Sequence, residues 1–195
     1  MEQRWVAKRE TFLAKATAED WLAEGMDLMK DKGFGSLTLE NLCGRMKKTR
    51  GSFYHHFQDM NAYVGRLLHH WQALQTQAAI DRTEQETDPK ARLAVLDETV
   101  RGLDHRLDQI IRAWSLRDPR AADAMASVDR TRVAYLRKLF LDNGVSEDMA
   151  TVLAELEYTA FLGAQQRFDD MKSPEAKRLA ECLRDVLHVY AKSKS

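Results

Sequence analysis

The sequence predicts an all-α protein, an N-terminal three-helix helix-turn-helix domain joined to a C-terminal helical bundle, with about nine helices in all. Three observations carry that prediction. The three prolines, Pro89, Pro119 and Pro174, each follow a capping residue (Asp88, Asp118, Ser173), so each marks a helix start and none interrupts a helix. Strand-like alternation rich in Val, Ile and Thr is missing. Apolar residues recur instead at three- and four-residue spacing between helix stop signals.

The first helix runs from the capping box Thr17-Ala18-Glu19-Asp20 to Gly33, with Trp21, Leu22, Gly25, Leu28 and Met29 as its apolar stripe. The second is short, with Thr38 as N-cap and Leu39, Leu42 and Met46 following. The third begins at Thr49 and is expected over 49–57, carrying Phe53, Tyr54 and Phe57. A long fourth helix starts near Asp59 and places Tyr63, Leu67, Trp71, Leu74 and Ala78 on one face. The fifth opens at Asp88-Pro89 and ends near Gly102, and the sixth covers roughly His105 to Leu116. The seventh runs from Asp118-Pro119 to the stop at Asn143-Gly144. The eighth starts at Ser146 and the ninth at Ser173-Pro174, ending in a Lys- and Ser-rich tail. These signals divide the chain near residue 60, into a domain over 1–60 (with a basic arm at 1–16) and a second over 61–195.

Composition narrows the class. An apolar fraction of 44% and a charged fraction of 31% suit a soluble globular protein. With 30 basic and 30 acidic residues the net charge is zero, so attraction to nucleic acid must come from a local patch. Cys43 and Cys182 make no CxxC, which suits a reducing cytosol and excludes a disulfide scaffold. The N-terminus is charged throughout and no run of ~18 apolar residues exists, so neither a signal peptide nor a membrane span is expected.

One stretch, KKTRGSFYHHF at 47–57, departs from the mosaic of both charge signs around it. From Asn41 to His56 there is no Asp or Glu, while Arg45, Lys47, Lys48 and Arg50 are basic. Two helices joined only by Lys47 and Lys48 make the helix-turn-helix pattern, whose second helix enters the major groove. Thr49 caps that helix, leaving N–H groups for a phosphate. Arg50 and Ser52 sit in the first turn, within reach of base edges, and Gly51 leaves room for close approach. Tyr54 and His55 can donate to phosphate oxygens, while Phe53 and Phe57 pack inward.

Residues Ala18–Trp71 resemble the DNA-binding domain of the TetR family of bacterial transcriptional regulators. The matching segments are KDKGF, SLTLENL and, above all, TRGSFYHHF at 49–57. RAWSLRDP (112–119) and VDRTRVAYL (128–136) resemble segments of one branch of that family. The resemblance implies a cytoplasmic bacterial protein that binds a pseudo-palindromic operator in double-stranded DNA as a homodimer and answers to a small-molecule effector. On this reading the DNA contacts are Thr38, Lys47, Lys48, Thr49, Arg50, Gly51, Ser52, Tyr54 and His55. Two positions depart from the family pattern: Lys47 stands where the turn usually has Gly, and Met60 where the fourth helix usually begins near a Lys. The arm with Arg4, Lys8, Arg9 and Lys15 suits either DNA contact or a disordered tail, the second being preferred.

The resemblance assigns the C-terminal helices a ligand pocket and a dimer interface. Independently, the eighth and ninth helices are apolar on two sides, and both sides must be buried. One can face the bundle and the other a partner, in a two-fold four-helix contact through Leu153, Leu156, Ala160, Gly163, Leu179, Leu183, Val186 and Leu187. The competing reading is an interior helix of a monomer. Candidate pocket residues are Trp71, Arg112, Trp114, Met125, Arg132, Tyr135 and Phe161, with Phe140 nearby. Such aromatic and Met residues more often form core, and Arg112 with Asp129 suits an internal ion pair equally well.

Nothing in the sequence supplies an enzyme. The neighbours His55-His56 and His69-His70 point ~100° apart on a helix, so neither pair makes a two-ligand face. HExxH, zinc-spaced Cys/His clusters, phosphate loops and GxSxG are all missing, so no catalytic residue, metal or cofactor is expected. The alternative to a regulator is a ligand- or protein-binding helical module of the same fold that has lost DNA recognition, the reading that Lys47 and Met60 favour.

Overall fold

The structure, a computed structural model, describes residues 16–193; the arm with Arg4, Lys8, Arg9 and Lys15 lies outside the described residues. The described residues form nine helices and no strand. They are α1 (Ala18–Lys32), α2 (Leu39–Met46), α3 (Arg50–Tyr54), α4, α5 (Pro89–Gly102), α6 (Arg106–Ser115), α7 (Pro119–Asp142), α8 (Glu147–Arg167) and α9 (Pro174–Ser193). Helix α4 comprises Met60–Gln72, a π-helical turn (Ala73–Gln77) and Ala78–Glu84, without a break. Two compact units part between Leu67 and Leu68, inside α4, whose first turns complete the core of the first unit.

In the first unit, Thr17 and Asp20 form the capping box: Asp20 N donates to Thr17 Oγ1 at 3.1 Å, and Thr17 N to Asp20 Oδ2 at 2.8 Å. Those bonds, the backbone one first, hold the Asp20 carboxyl below its usual range. Gly33, at φ 76°, ends α1 with its N–H on the Met29 carbonyl. Trp21, Leu28, Met29, Leu42, Phe53, Tyr63 and Leu67 are fully buried. Phe53 sits among three of the rings, with centroids 5.4 Å from Trp21, 5.1 Å from Phe57 and 5.3 Å from Tyr63. The Tyr63 hydroxyl donates to the Trp21 carbonyl at 2.7 Å, passing over Gly25, where an added Cβ would lie 1.9 Å from that oxygen.

In the second unit, Asp88 and Asp118 cap α5 and α7, accepting from Lys90 N at 3.0 Å and Arg120 N at 2.9 Å. Gly144, at φ 82°, turns the chain between α7 and α8. These helices close a core that includes Leu136, Phe140, Leu153, Tyr158 and Leu187.

Two expectations change. Helix α3 stops at Tyr54 instead of reaching Phe57, because the His56 N–H closes a tighter bond to the Phe53 carbonyl at 2.9 Å. The face of α4 also shifts. Tyr63, Leu67 and Trp71 are buried as expected, but Leu74 and Ala78 are exposed, and Thr76, Ala79 and Thr83 are buried in their place. The wider π turn adds a residue to the spacing, which rotates the downstream stripe by about one position, ~100°.

Candidate nucleic-acid interface and a cavity in the second unit

Helix α3 is held from behind and bare in front. Its inner face is Phe53, clamped as above, and its N-cap Thr49 accepts from Ser52 N at 3.3 Å. Outward lie Thr38, Lys47, Thr49, Arg50, Gly51, Tyr54 and His55, all exposed, with Lys48 and Ser52 half-buried. Tyr54 is 54% exposed although its ring sits 5.5 Å from Phe53, so its hydroxyl is carried outward on a fixed ring. His55 is exposed, whereas His56 turns back to hydrogen-bond the Ala16 carbonyl at 2.7 Å.

The turn is made by Lys47 in the left-handed region, at φ 52° and ψ 42°, the one non-glycine residue with positive φ among those described. Its N–H and that of Lys48 both reach the Cys43 carbonyl. A side chain there costs ~1 kcal/mol or more relative to glycine, and the turn forms nonetheless.

Not all of the basic residues in this segment are available. Arg45 is bound to Glu24 and lies 2.5 Å from Asp31, fastening α2 to α1. Lys47 and Arg50 make no ion pair among the described residues, so the positive charge concentrates on the turn and the start of α3.

Residues 22–66 match the family model described as bacterial regulatory proteins, tetR family. These residues form a tetR-family domain. Curated proteins provide no match. Among solved structures, Escherichia coli NemR in its reduced form is 22% identical, with a TM-score of 0.68, over 89% of this chain and 96% of that one. A transcriptional regulator (TerR/AcrR family) from Aquifex aeolicus VF5 is 19% identical, with a TM-score of 0.63, over 90% of this chain and 99% of that one. These two likenesses establish the fold over most of the chain, and the matched domain makes the protein a DNA-binding transcriptional regulator.

The second unit, which lies beyond the matched domain, holds a cavity of about 150 Å³. Of the expected pocket residues, Arg132, Tyr135 and Phe161 line it. The other four do not. Trp71 is fully buried with its Nε1 on Asp108 at 2.7 Å, and Trp114 and Met125 are buried in the core. Arg112 pairs with Asp129 at 2.7 and 3.1 Å, and the Tyr158 hydroxyl donates to the same carboxylate at 2.6 Å. Burial, opposed by the Arg132 charge, pushes the Tyr158 hydroxyl up to about 12.

The structure adds polar wall residues that the sequence does not single out: Gln75 and Thr76 on the π turn, Asp97 and Arg101, His105, Glu157 and Arg184. On helical wheels these look like solvated positions. The signals available were the i,i+4 pair Asp97–Arg101 and the second glutamate of Glu155-Leu156-Glu157, which apolar and small residues follow.

The residues expected at a dimer contact separate into groups. Leu153 and Leu187 are buried in their own bundle and cannot meet a partner. Ala160, Leu179 and Leu183 line the cavity, Leu179 being exposed as well. Leu156, Gly163 and Val186 are exposed, and Val152, Val189 and Tyr190 extend that apolar surface along α8 and α9.

Proposed function

We propose that the protein is a homodimeric, cytoplasmic repressor that reads a pseudo-palindromic operator and is released by a small-molecule effector. The observation that carries this reading is α3 itself: five residues pinned by a buried Phe53, which with the C-cap His55 present Arg50, Ser52, Tyr54 and His55 outward and no acid. Two such helices enter successive major grooves ~34–36 Å apart. Thr38, Lys47, Lys48, Tyr54 and His55 hold phosphates, Thr49 and Gly51 allow close backbone approach, and Arg50 and Ser52 read bases. The left-handed Lys47 keeps the glycine-type turn and adds a cation to it.

The exposed apolar surface of α8 and α9, with Leu156, Gly163, Leu179 and Val186, supports the two-fold contact. Helix α4 supports the coupling. It begins at Met60 beside the recognition helix in sequence, and its later residues Gln75 and Thr76 line the cavity. An effector that favours one position of α4 by ~1–3 kcal/mol over the other shifts DNA affinity by the same amount.

Selection of duplexes from a random pool by the purified protein, with titration of the winner at two salt concentrations, tests the reading. The expected result is a two-fold-symmetric consensus whose affinity falls steeply with salt. No enrichment by a folded dimer refutes it. Tyr54→Phe weakens binding to all sequences alike, whereas Arg50→Ala relaxes preference at one position of each half-site.

A further inference from the structure

The wall of the cavity carries an uneven set of charges. Three guanidinium groups line it, those of Arg101, Arg132 and Arg184. Arg132 is matched by buried Asp108 at 2.7 Å. Arg101 and Arg184 share one carboxylate, that of Asp97, which is bonded to Arg101 and 2.5 Å from Arg184 Nη1. Arg101 Nη1 is buried and without a hydrogen-bond partner. Glu157, the remaining acid on the wall, makes no hydrogen bond or ion pair among the described residues. Burial, with the Asp97 charge adding to it and Arg184 opposing, pushes its carboxyl up to about 7. When Glu157 holds its proton, this wall has one positive charge too many, one buried donor unused and one O–H to give.

We infer that this cavity, read as the effector site proposed above, takes a small apolar monocarboxylate. The ligand's carboxylate accepts from Arg101 Nη1, close to Arg184, and from the protonated Glu157. Its hydrocarbon body lies against Leu96, Val100, Leu136 and Phe161. A cavity of about 150 Å³ has room for roughly one aromatic ring. An amine fits worse, since it adds a cation beside two guanidinium groups and leaves Arg101 Nη1 unpaired. The unpartnered Gln75 Oε1 is an acceptor and takes no part in holding the carboxylate.

Calorimetric titration of the full chain with benzoate, benzyl alcohol and benzylamine, at pH 6 and pH 8, tests this. Benzoate is ionised at both pH values, while Glu157 changes state between them. The other charged or titrating groups on the wall are Asp97 and Arg101 on α5, His105 ahead of α6, Arg132 and Tyr135 on α7, Tyr158 on α8, and Arg184 on α9. Burial holds His105 below its usual 6.5, and the Glu157→Gln variant, which keeps His105, separates its part from that of Glu157. At pH 6 benzoate binds at least about tenfold more tightly than benzyl alcohol, and at pH 8 it weakens by about tenfold, since Glu157 must take up a proton.

Arg101→Met removes the preference for benzoate and leaves benzyl alcohol binding. Glu157→Gln keeps a donor in place, binds benzoate and makes its affinity equal at the two pH values. Benzyl alcohol or benzylamine binding as tightly as benzoate overturns the ligand class while leaving the effector reading standing. A pH-independent benzoate affinity in the unaltered chain overturns the part given to Glu157. Failure of all three probes to bind overturns the inference; duplex selection, which needs no ligand, separates that failure from a failure of DNA recognition.

Discussion

Replacing Gly25 by Ala sets two effects of known sign against each other. On helix propensity alone, Gly→Ala in the interior of α1 stabilises by ~1 kcal/mol. The tertiary structure reverses that. The new Cβ would lie 1.9 Å from Tyr63 Oη and 2.7 Å from Leu67 Cδ1, both in side chains with no exposed surface. Overpacking of that kind costs ~1–3 kcal/mol. Displacing the Tyr63 hydroxyl from the Trp21 carbonyl, 2.7 Å away, leaves the buried Tyr63 O–H unpaired, the carbonyl keeping its helical bond, and costs ~1–3 kcal/mol more.

Setting these costs against the propensity gain leaves Gly25→Ala destabilising the first unit by about 3 kcal/mol. For a domain of this size that lowers its melting temperature by roughly 12–24 °C. The assay is thermal melting of the full chain followed by circular dichroism, with operator binding in parallel, since Phe53 leans on the same ring. Gly25→Ala with Tyr63→Phe removes the closest clash and recovers part of the loss. A Gly25→Ala protein that melts at or above the parent temperature refutes the packing argument.

Other outcomes follow from single contacts. Lys47→Gly relieves the left-handed backbone and stabilises the first unit by up to ~1 kcal/mol in urea titration, while Lys47→Val destabilises it; equal midpoints for the three proteins contradict this. Asp108→Ala strands the buried Arg132 guanidinium and Trp71 Nε1 and costs the second unit ~3–5 kcal/mol, read from its denaturant midpoint. His105 is held neutral by burial, its Nε2 on the Val100 carbonyl at 2.9 Å and its Nδ1 facing the Gln165 amide at 3.0 Å. Its folded pKa lies below the usual 6.5, so the unfolded chain takes the proton first. The stability this gives is full above pH 6.5 and is lost as pH falls through the folded value, and His105→Gln flattens that acid limb of the pH–stability profile. Glu157 has the opposite sign. Its pKa rises from 4.5 to about 7 on folding, so its contribution is full below 4.5 and lost as pH climbs through 7, and Glu157→Gln flattens the alkaline limb.

The elements and the character of the recognition helix are legible in the residues alone. Caps and stops are local chemistry: Thr17 with Asp20, Asp88 and Asp118 ahead of prolines, and Gly33 and Gly144 at positive φ all act within a few residues of themselves. The acid-free KKTRGSFYHHF segment is local too, because side-chain type and spacing already divide it into an aromatic inner face and a polar outer one. Tertiary structure decided which charges remain available and where space is left. Arg45 looks like its neighbours in sequence but is bound by Glu24 and Asp31 of another helix. The π turn moves burial from Leu74 and Ala78 to Thr76 and Ala79, which no 3.6-residue period can anticipate. The cavity gathers Arg101, Glu157 and Arg184 from three helices, and Leu153 and Leu187 turn inward where a wheel allows either face. Helix caps depend on bonds between residues close in the chain, whereas a cavity and its charge balance are what remains once distant helices have packed.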